Sequence, residues 1–91
     1  MKVILKFDYY DKTIYIPDGH INNLNKVYLD FFEWLEEQAD CWVLDNGAYG
    51  LSYDEKYFVK YINEKLLVNC TEKAYILKDT IKRKNVPVLK F

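Results

Sequence analysis

The sequence predicts a two-layer α+β sandwich, in which two helices cover one face of a mainly antiparallel sheet. Short strand-like segments occur at both ends and in the middle of the chain: an alternating pattern near the N-terminus, short apolar runs in the middle and strand candidates near the C-terminus. Two longer segments repeat apolar residues every three or four positions, which is typical of surface helices. A chain of 91 residues suits one domain with one modest core. We therefore expect residues 1–91 to fold as a single domain with the order ββαββαβ(β).

The first half of the chain predicts a hairpin followed by a helix. Residues 2–8 alternate Val3, Leu5 and Phe7 with Ile4 and Lys6, and residues 13–16 resume the alternation after a polar turn. This pattern indicates a β-hairpin. Pro17 ends the second strand because proline has no N–H for the ladder, and Gly19 favours a turn. A helix is expected from about residue 21 to residue 38. Its apolar stripe consists of Ile21, Leu24, Tyr28, Phe31, Phe32 and Leu35.

The second half repeats this order of elements. Residues 41–44 and 48–51 flank Asn46 and Gly47, and Asn-Gly between two strand-like runs is the strongest short signal for a hairpin. Ser52 and Glu55 match a capping box, in which each side chain accepts a hydrogen bond from the other residue's backbone N–H. This pattern predicts that Ser52 caps a second helix over about residues 53–67.

The end of the chain predicts one or two further strands. Residues 74–78 and 86–91 are strand-like, with a polar connection at residues 82–85. Pro87 favours an edge position for the final strand, because proline cannot donate to a neighbouring strand. The connection includes the basic cluster Lys82, Arg83 and Lys84, which is short for a nucleic-acid site and has no interleaved aromatic residues. We interpret it as a solvated hairpin tip and do not expect direct binding to nucleic acid.

The aromatic content is high for so short a chain. Nine Tyr, five Phe and two Trp stand beside one Ser, one His and one Arg. Each ring buries about 150 to 250 Å² when fully inside, so one small core cannot easily hold them all. Several rings should lie at the surface, where Tyr is common in interfaces. The residue types on which catalysis usually draws are scarce, so we expect a protein that is not an enzyme.

The cysteines and the histidine predict neither a metal site nor a disulfide framework. Cys41 and Cys70 lack the spacing of metal ligands, and His20 has no second His or nearby Cys in the sequence. Ser52, assigned to a helix cap, leaves no Ser–His pair for nucleophilic catalysis. No apolar run reaches about 18 residues, and the N-terminal residues do not resemble a signal peptide. We therefore expect a soluble cytoplasmic protein with free thiols, without a metal or a cofactor.

Charge is distributed unevenly along the chain. Residues 27–55 contain no Lys or Arg, whereas the chain from residue 72 onward is rich in Lys. Two interpretations remain open: the two regions neutralise each other in the fold, or the acidic region forms a surface for a basic partner. The acidic residues of this region are Asp30, Glu33, Glu36, Glu37, Asp40, Asp45, Asp54 and Glu55.

The first predicted helix carries the main candidate binding residues. At about 100° per residue, Trp34 lies to the side of the apolar stripe, so we expect it to be exposed as an interface anchor. The alternative is that Trp34 packs under a loop or against the C-terminal strand. Carboxylates occupy the solvent face and extend past the C-terminal end, where they oppose the helix macrodipole. They serve either binding or solvation, and they are Asp30, Glu33, Glu36, Glu37 and Asp40.

The second predicted helix has a ridge of tyrosines beside its aliphatic face. Tyr53, Tyr57 and Tyr61 form the ridge, although an ordinary surface helix needs only the aliphatic face. Tyr61 lies nearest to that face and is expected in the core. Tyr53 and Tyr57 are candidate binding residues, and the ridge around Tyr57 is also a candidate homodimer contact. The aliphatic face consists of Phe58, Ile62 and Leu66.

These features support two hypotheses of function. The first is a small non-enzymatic protein-binding module whose acidic, aromatic-edged helix binds a basic protein. Because of the excess aromatic area, the segregated charge and the missing catalytic residues, we interpret this module as an inhibitor from a phage or mobile element, directed against a defence protein in a bacterial or infected host cell. The excess of Lys over Arg is typical of an AT-rich genome and bears only on the origin of the chain, such as a low-GC bacterium or one of its phages. The alternative is a small ligand-binding protein whose surface tyrosines stack on a nucleotide, with the basic residues 82–84 or another lysine near the phosphate.

Overall fold

The computed structural model of the protein describes residues 1–78 and 85–91, and it has the predicted α+β fold class. The basic cluster Lys82, Arg83 and Lys84 lies outside the described residues. Ala39–Cys41 form a short 3₁₀ turn, and Ile62–Leu66 form a π-helical turn. The helices and strands of the described part are β1 (Lys2–Lys6), β2 (Asp11–Tyr15), α1 (Leu24–Glu36), β3 (Trp42–Asp45), β4 (Ala48–Leu51), α2 (Glu55–Tyr61), β5 (Tyr75–Ile76) and β6 (Val88–Lys90).

The strands form two separate sheets rather than the single sheet that the sequence predicts. The larger sheet has the order β5-β2-β1-β6, with β1 antiparallel to β2 and parallel to β6. Strands β3 and β4 pair with each other in a second, two-stranded sheet. The positions beside β1 and β2 are taken by β6 and β5, and these edge strands are only three and two residues long. Little free edge is therefore left for the β3–β4 hairpin to join. Strand β6 lies at an edge, as Pro87 predicts.

One face of the larger sheet packs with both helices in a single core. Val3 lies opposite Ile14 in the register of β1 and β2, and Leu5 lies opposite Leu89 of β6, so these side chains share a face. They belong to the same buried cluster as residues of α1 and α2. The ring of Phe31 lies at the centre of that cluster, completely buried. Truncating such a ring to Ala typically costs about 3 to 5 kcal/mol. The rings around Phe31 are those of Phe32, Trp34, Tyr53, Phe58, Tyr61 and Phe91.

The π-helical turn after α2 positions the next strand. The N–H of Leu67 donates to the carbonyl oxygen of Ile62 at 3.0 Å, which widens the last turn of the helix. The side-chain amide of Asn63, within this turn, donates to the carbonyl oxygen of Ala74 at 3.0 Å and accepts from the N–H of Ala74 at 2.8 Å. These two hydrogen bonds fix the chain immediately before β5.

Both helices begin later than predicted, because other residues cap them. Asn23 caps α1, and its side chain accepts from the N–H of Lys26 at 3.2 Å. Asp54 caps α2, and its carboxylate accepts from the N–H of Lys56 at 3.0 Å. The predicted cap at Ser52 is therefore wrong.

Ser52 belongs to the base of the β3–β4 hairpin instead of the helix. Its backbone N–H donates to the carbonyl oxygen of Cys41 at 2.7 Å. Glu55, the other half of the predicted capping box, accepts a hydrogen bond from the hydroxyl of Tyr10 at 2.9 Å. The hairpin thus continues to Ser52, which leaves the next capping residue, Asp54, to begin α2.

We predict that Asp54→Ala lowers the free energy of unfolding by about 0.5 to 2 kcal/mol, because the first turn of α2 loses its side-chain acceptor. Urea denaturation measures the change. Ser52→Ala is the matched control and should have little effect, since Ser52 makes its hydrogen bond through the backbone. A larger loss for Ser52→Ala than for Asp54→Ala would contradict this assignment of the cap.

Candidate protein-binding surface

Trp34 is buried, so the prediction that it is an exposed interface anchor is wrong. Its exposed fraction is 8%, and its ring stacks on Phe31 with a centroid distance of 6.0 Å. The ring of Tyr61 covers it from α2, at 5.5 Å. The apolar face of α1 is therefore wider than its central stripe, because α1 contacts both the sheet and α2. Trp34→Ala would remove core packing rather than a contact for a partner.

The three tyrosines of the predicted ridge do not form one projecting surface. Tyr61 is buried, as expected, whereas Tyr53 precedes α2 and packs edge to face on Phe31. Tyr57 is half-buried, and its hydroxyl donates to the carboxylate of Asp40 at 3.1 Å. The hydrogen bond with the thiol of Cys41, followed by that with Asp40, raises the pKa of Tyr57 to about 12. Both groups hold the Tyr57 side chain within the domain.

The acidic residues of α1 lie where the sequence predicts them, with one exception. Asp30 is only half-exposed, and its carboxylate forms an ion pair with Lys26 at 2.9 Å. The other carboxylates are exposed, and within the described residues none of them is in an ion pair with the lysines near the C-terminus. These exposed residues are Glu33, Glu36, Glu37 and Asp40.

The β3–β4 hairpin presents an exposed apolar surface that the sequence analysis did not identify. Trp42 and Leu44 of β3 lie on the same face as Tyr49 of β4, because Leu44 pairs with Tyr49 and Trp42 pairs with Leu51. The exposed fractions are 41% for Trp42, 57% for Leu44 and 70% for Tyr49. Val43, on the opposite face, is 46% exposed. We call the set Trp42, Val43, Leu44 and Tyr49 the hairpin surface.

Local geometry explains why the hairpin forms without support from the larger sheet. Asn46 and Gly47 have φ angles of 52° and 82°, and two consecutive residues with positive φ are the requirement of the tight turn that Asn-Gly favours. At the base, the indole N–H of Trp42 donates to the carbonyl oxygen of Glu36 at 2.9 Å. This bond ties the hairpin to the acidic end of α1.

A signal in the sequence could have identified the hairpin surface. Strands with one solvated face alternate apolar and polar residues, but the run from Trp42 to Leu44 has no polar residue, and Ala48 to Leu51 has none either. Such a pair of strands is either buried on both faces or exposed for a contact. In this structure the hairpin is exposed rather than buried.

His20 and Cys70 lie close together, although they are far apart in the sequence. The Sγ atom of Cys70 is 3.6 Å from Nδ1 of His20. The expectation that no Cys lies near His20 is therefore wrong for the folded chain. Within residues 1–78 and 85–91, no group of three or more His, Cys, Asp or Glu side chains is placed to hold a metal ion. In the same ranges, no helix has the length and apolar character that a membrane span requires.

A comparison with protein-family models, with curated proteins and with solved structures finds no match to this chain.

We predict that iodoacetamide alkylates Cys70 at least about tenfold faster than Cys41 near neutral pH, because alkylation requires an accessible thiolate. Cys41 is fully buried, and burial is the main cause that raises the pKa of its thiol. Cys70 is half-buried beside His20. Mass spectrometry of timed digests measures both rates. In urea the two rates should converge, and equal rates in the folded protein would contradict the burial of Cys41.

Proposed function

We propose that this protein is a non-enzymatic protein-binding module, and that the hairpin surface is its contact site. The observation that carries the proposal is the exposure of large apolar side chains on a hairpin whose strands pair only with each other among the described residues. A two-stranded hairpin alone is marginally stable in water. Contiguous exposed apolar residues are typical of interaction sites. An aromatic side chain such as Tyr49, placed at the end of the hairpin, has the character of a binding hot spot.

The charges around the hairpin favour a basic partner. Glu36 and Glu37 lie at the end of α1, next to the point where Trp42 bonds to that helix. No Lys or Arg occurs between residues 27 and 55, so the hairpin and this helix end carry negative charge only. Complementary charge accelerates association and disfavours partners of the same sign. Trp34 is buried and is therefore not a proposed contact residue. Trp42, which is exposed, takes this role.

We propose further that the module acts as an inhibitor of phage or mobile-element origin, directed against a defence protein in the cytoplasm of the cell. The scarcity of residue types used in catalysis supports a binding role without chemistry, and the excess of Lys over Arg is typical of the AT-rich genomes of low-GC bacteria and their phages. Glu36 and Glu37 form an acidic border beside the exposed hairpin. A small chain with these two features is suited to blocking a basic site on another protein, because it can cover that site without performing chemistry.

The alternative, a nucleotide-binding protein, has weaker support. The rings of Tyr15 and Tyr75 lie 5.3 Å apart beside a cavity of about 560 Å³. Partial desolvation and the negative charges of Asp18 and Glu72 raise the pKa of Tyr15, and negative charge at this place disfavours phosphate. The ammonium group of Lys73, which lines the same cavity, donates to the carbonyl oxygen of Leu67, so part of its hydrogen-bonding capacity is already used within the domain. A thermal-shift screen with nucleotides tests this alternative.

We predict that Tyr49→Ala and Leu44→Ala each weaken capture of the partner from a lysate of the producing cells by about tenfold or more, as expected for hot-spot residues. Two matched controls lie away from the hairpin. Leu29 is 64% exposed on α1, and Tyr75 is exposed on β5. Leu29→Ala and Tyr75→Ala should retain capture. Quantitative mass spectrometry measures the amount of captured partner. If all four variants capture it equally well, the hairpin surface is rejected as the contact site.

We predict that Glu36→Lys combined with Glu37→Lys lowers the association rate with the captured partner and flattens its dependence on salt, because steering by exposed charges is screened within about 10 Å at 0.1 M salt. Surface plasmon resonance at several salt concentrations measures the rates. Glu64→Lys, a charge change on the turn after α2, is the control. An unchanged association rate in the double variant would show that the acidic border does not steer binding.

A further inference from the structure

The outer edge of β4 carries free backbone groups that point away from β3. The turn at Asn46 and Gly47 makes the flanking pair, Asp45 with Ala48, a hydrogen-bonded pair. Hydrogen-bonded and non-hydrogen-bonded pairs alternate along an antiparallel ladder. The bond from the N–H of Ser52 to the carbonyl oxygen of Cys41 has the position that this alternation requires. Tyr49 and Leu51 therefore direct their N–H and C=O groups outward.

A depression runs along this edge. A cavity of about 430 Å³ is lined by the consecutive residues 48–52 together with Val43. Consecutive strand residues alternate between the two faces, so a cavity that touches residues 48–52 reaches the edge of β4. Its contact with Val43 shows that it also extends over the face that Val43 shares with Gly50. Gly50 exposes the backbone there, and a Cβ atom built on it would meet nothing within 4 Å. The face of the hairpin at Gly50 is therefore open.

The depression continues towards the turn between β1 and β2. A second cavity of about 390 Å³ shares Leu51 and Ser52 with the first, so the two meet at the base of β4. Its far side is formed by residues 7–10, including the almost fully exposed ring of Tyr9. The path along β4 thus begins beside Gly50 and ends beside an exposed aromatic ring.

The charge along this path favours a basic occupant. Asp8 is the charged residue in the lining of the two cavities, and no Lys or Arg of the described residues contributes to it. The carboxylates at the end of α1 add negative charge on the β3 side. A second copy of the chain would bring its own Asp8 and the carboxylates at the end of its α1 to the same place, and like charges would oppose that pairing. A basic segment has the complementary charge.

We propose that β4 accepts an extended basic segment of the partner as a third strand of the hairpin sheet. This inference rests on the proposed function and specifies its mode of binding. Backbone hydrogen bonds to Tyr49 and Leu51 supply affinity, as in other cases of strand addition. Side chains of the added strand contact the apolar faces of the hairpin alternately. Addition of a strand also covers an edge that otherwise invites aggregation.

The test uses chemically synthesised full-length chains and a defined peptide. The probe is an octapeptide of alternating lysine and valine, which is basic and forms a strand. N-methylation of Tyr49 removes its outward N–H and retains its side chain. N-methylation of Leu44, whose N–H points outward on the other edge, is the matched control. Binding is measured by amide chemical shifts and hydrogen exchange, with circular dichroism to verify the fold of each variant.

The expected result is that the octapeptide binds the unmodified chain and slows hydrogen exchange at the amides of Tyr49 and Leu51. N-methylation of Tyr49 should weaken binding by about tenfold or more, since it removes a hydrogen bond and obstructs the edge. N-methylation of Leu44 should change it less than about twofold. An octapeptide of alternating glutamate and valine should not bind. If the Tyr49-methylated chain does not fold, the exchange of the two amides in the unmodified chain decides.

Other outcomes overturn the inference. Absence of binding by the lysine–valine octapeptide, or protection at Leu44 in place of Tyr49 and Leu51, would reject strand addition at β4. The proposed function is tested separately, with the captured partner. If Tyr49→Ala lowers capture while N-methylation of Tyr49 leaves capture unchanged, the hairpin surface binds through side chains and strand addition is rejected alone. If neither change affects capture, both the contact site and the inference are rejected.

Discussion

The packing of aromatic rings around Phe31 is the interaction on which the rest of the structure depends. Phe31 projects from α1 and contacts Phe58 of α2 edge to face, at 5.1 Å between the ring centroids. It also contacts Phe91, next to the edge strand β6, at 5.9 Å. Edge-to-face pairs contribute about 0.5 to 1.5 kcal/mol beyond the area that they bury. One side chain thus connects both helices and the end of the chain, and its position decides which other rings are inside.

This core explains why the accessible aromatic residues are not those expected from a helical pattern. Trp34 and Tyr61 pack against the side of Phe31 where α1 and α2 meet. The hairpin of β3 and β4 contributes Leu51 to the margin of the core and extends away from it. Trp42 and Tyr49 consequently stay at the surface. Part of the exposed aromatic area therefore lies on a hairpin that contacts the core mainly through Leu51, whereas other exposed rings, such as Tyr9 and Tyr75, lie on the larger sheet and its turn.

The acidic region connects the core to the proposed binding site. The end of α1 carries carboxylates where the macrodipole favours cations, and within the described chain its last turn has no basic residue. The hydrogen bond from Trp42 to Glu36 places the hairpin beside that charge. Apolar area and negative charge therefore lie side by side, although they come from different elements. Both belong to one continuous stretch of the chain, so the proposed binding site is compact.

The sequence alone determined the features that depend on neighbouring residues. Alternation and the Asn-Gly pair predicted the hairpins, the three-to-four spacing predicted the helices, and the run without Lys or Arg predicted the acidic surface. Tertiary structure decided what depends on packing between distant segments. Trp34 is buried because α2 covers it, and Asp54 replaces Ser52 as the cap because Ser52 bonds across the hairpin to Cys41. The separation of the second hairpin from the main sheet also required the structure, because periodicity shows which face of a strand is apolar but not which strand lies beside it.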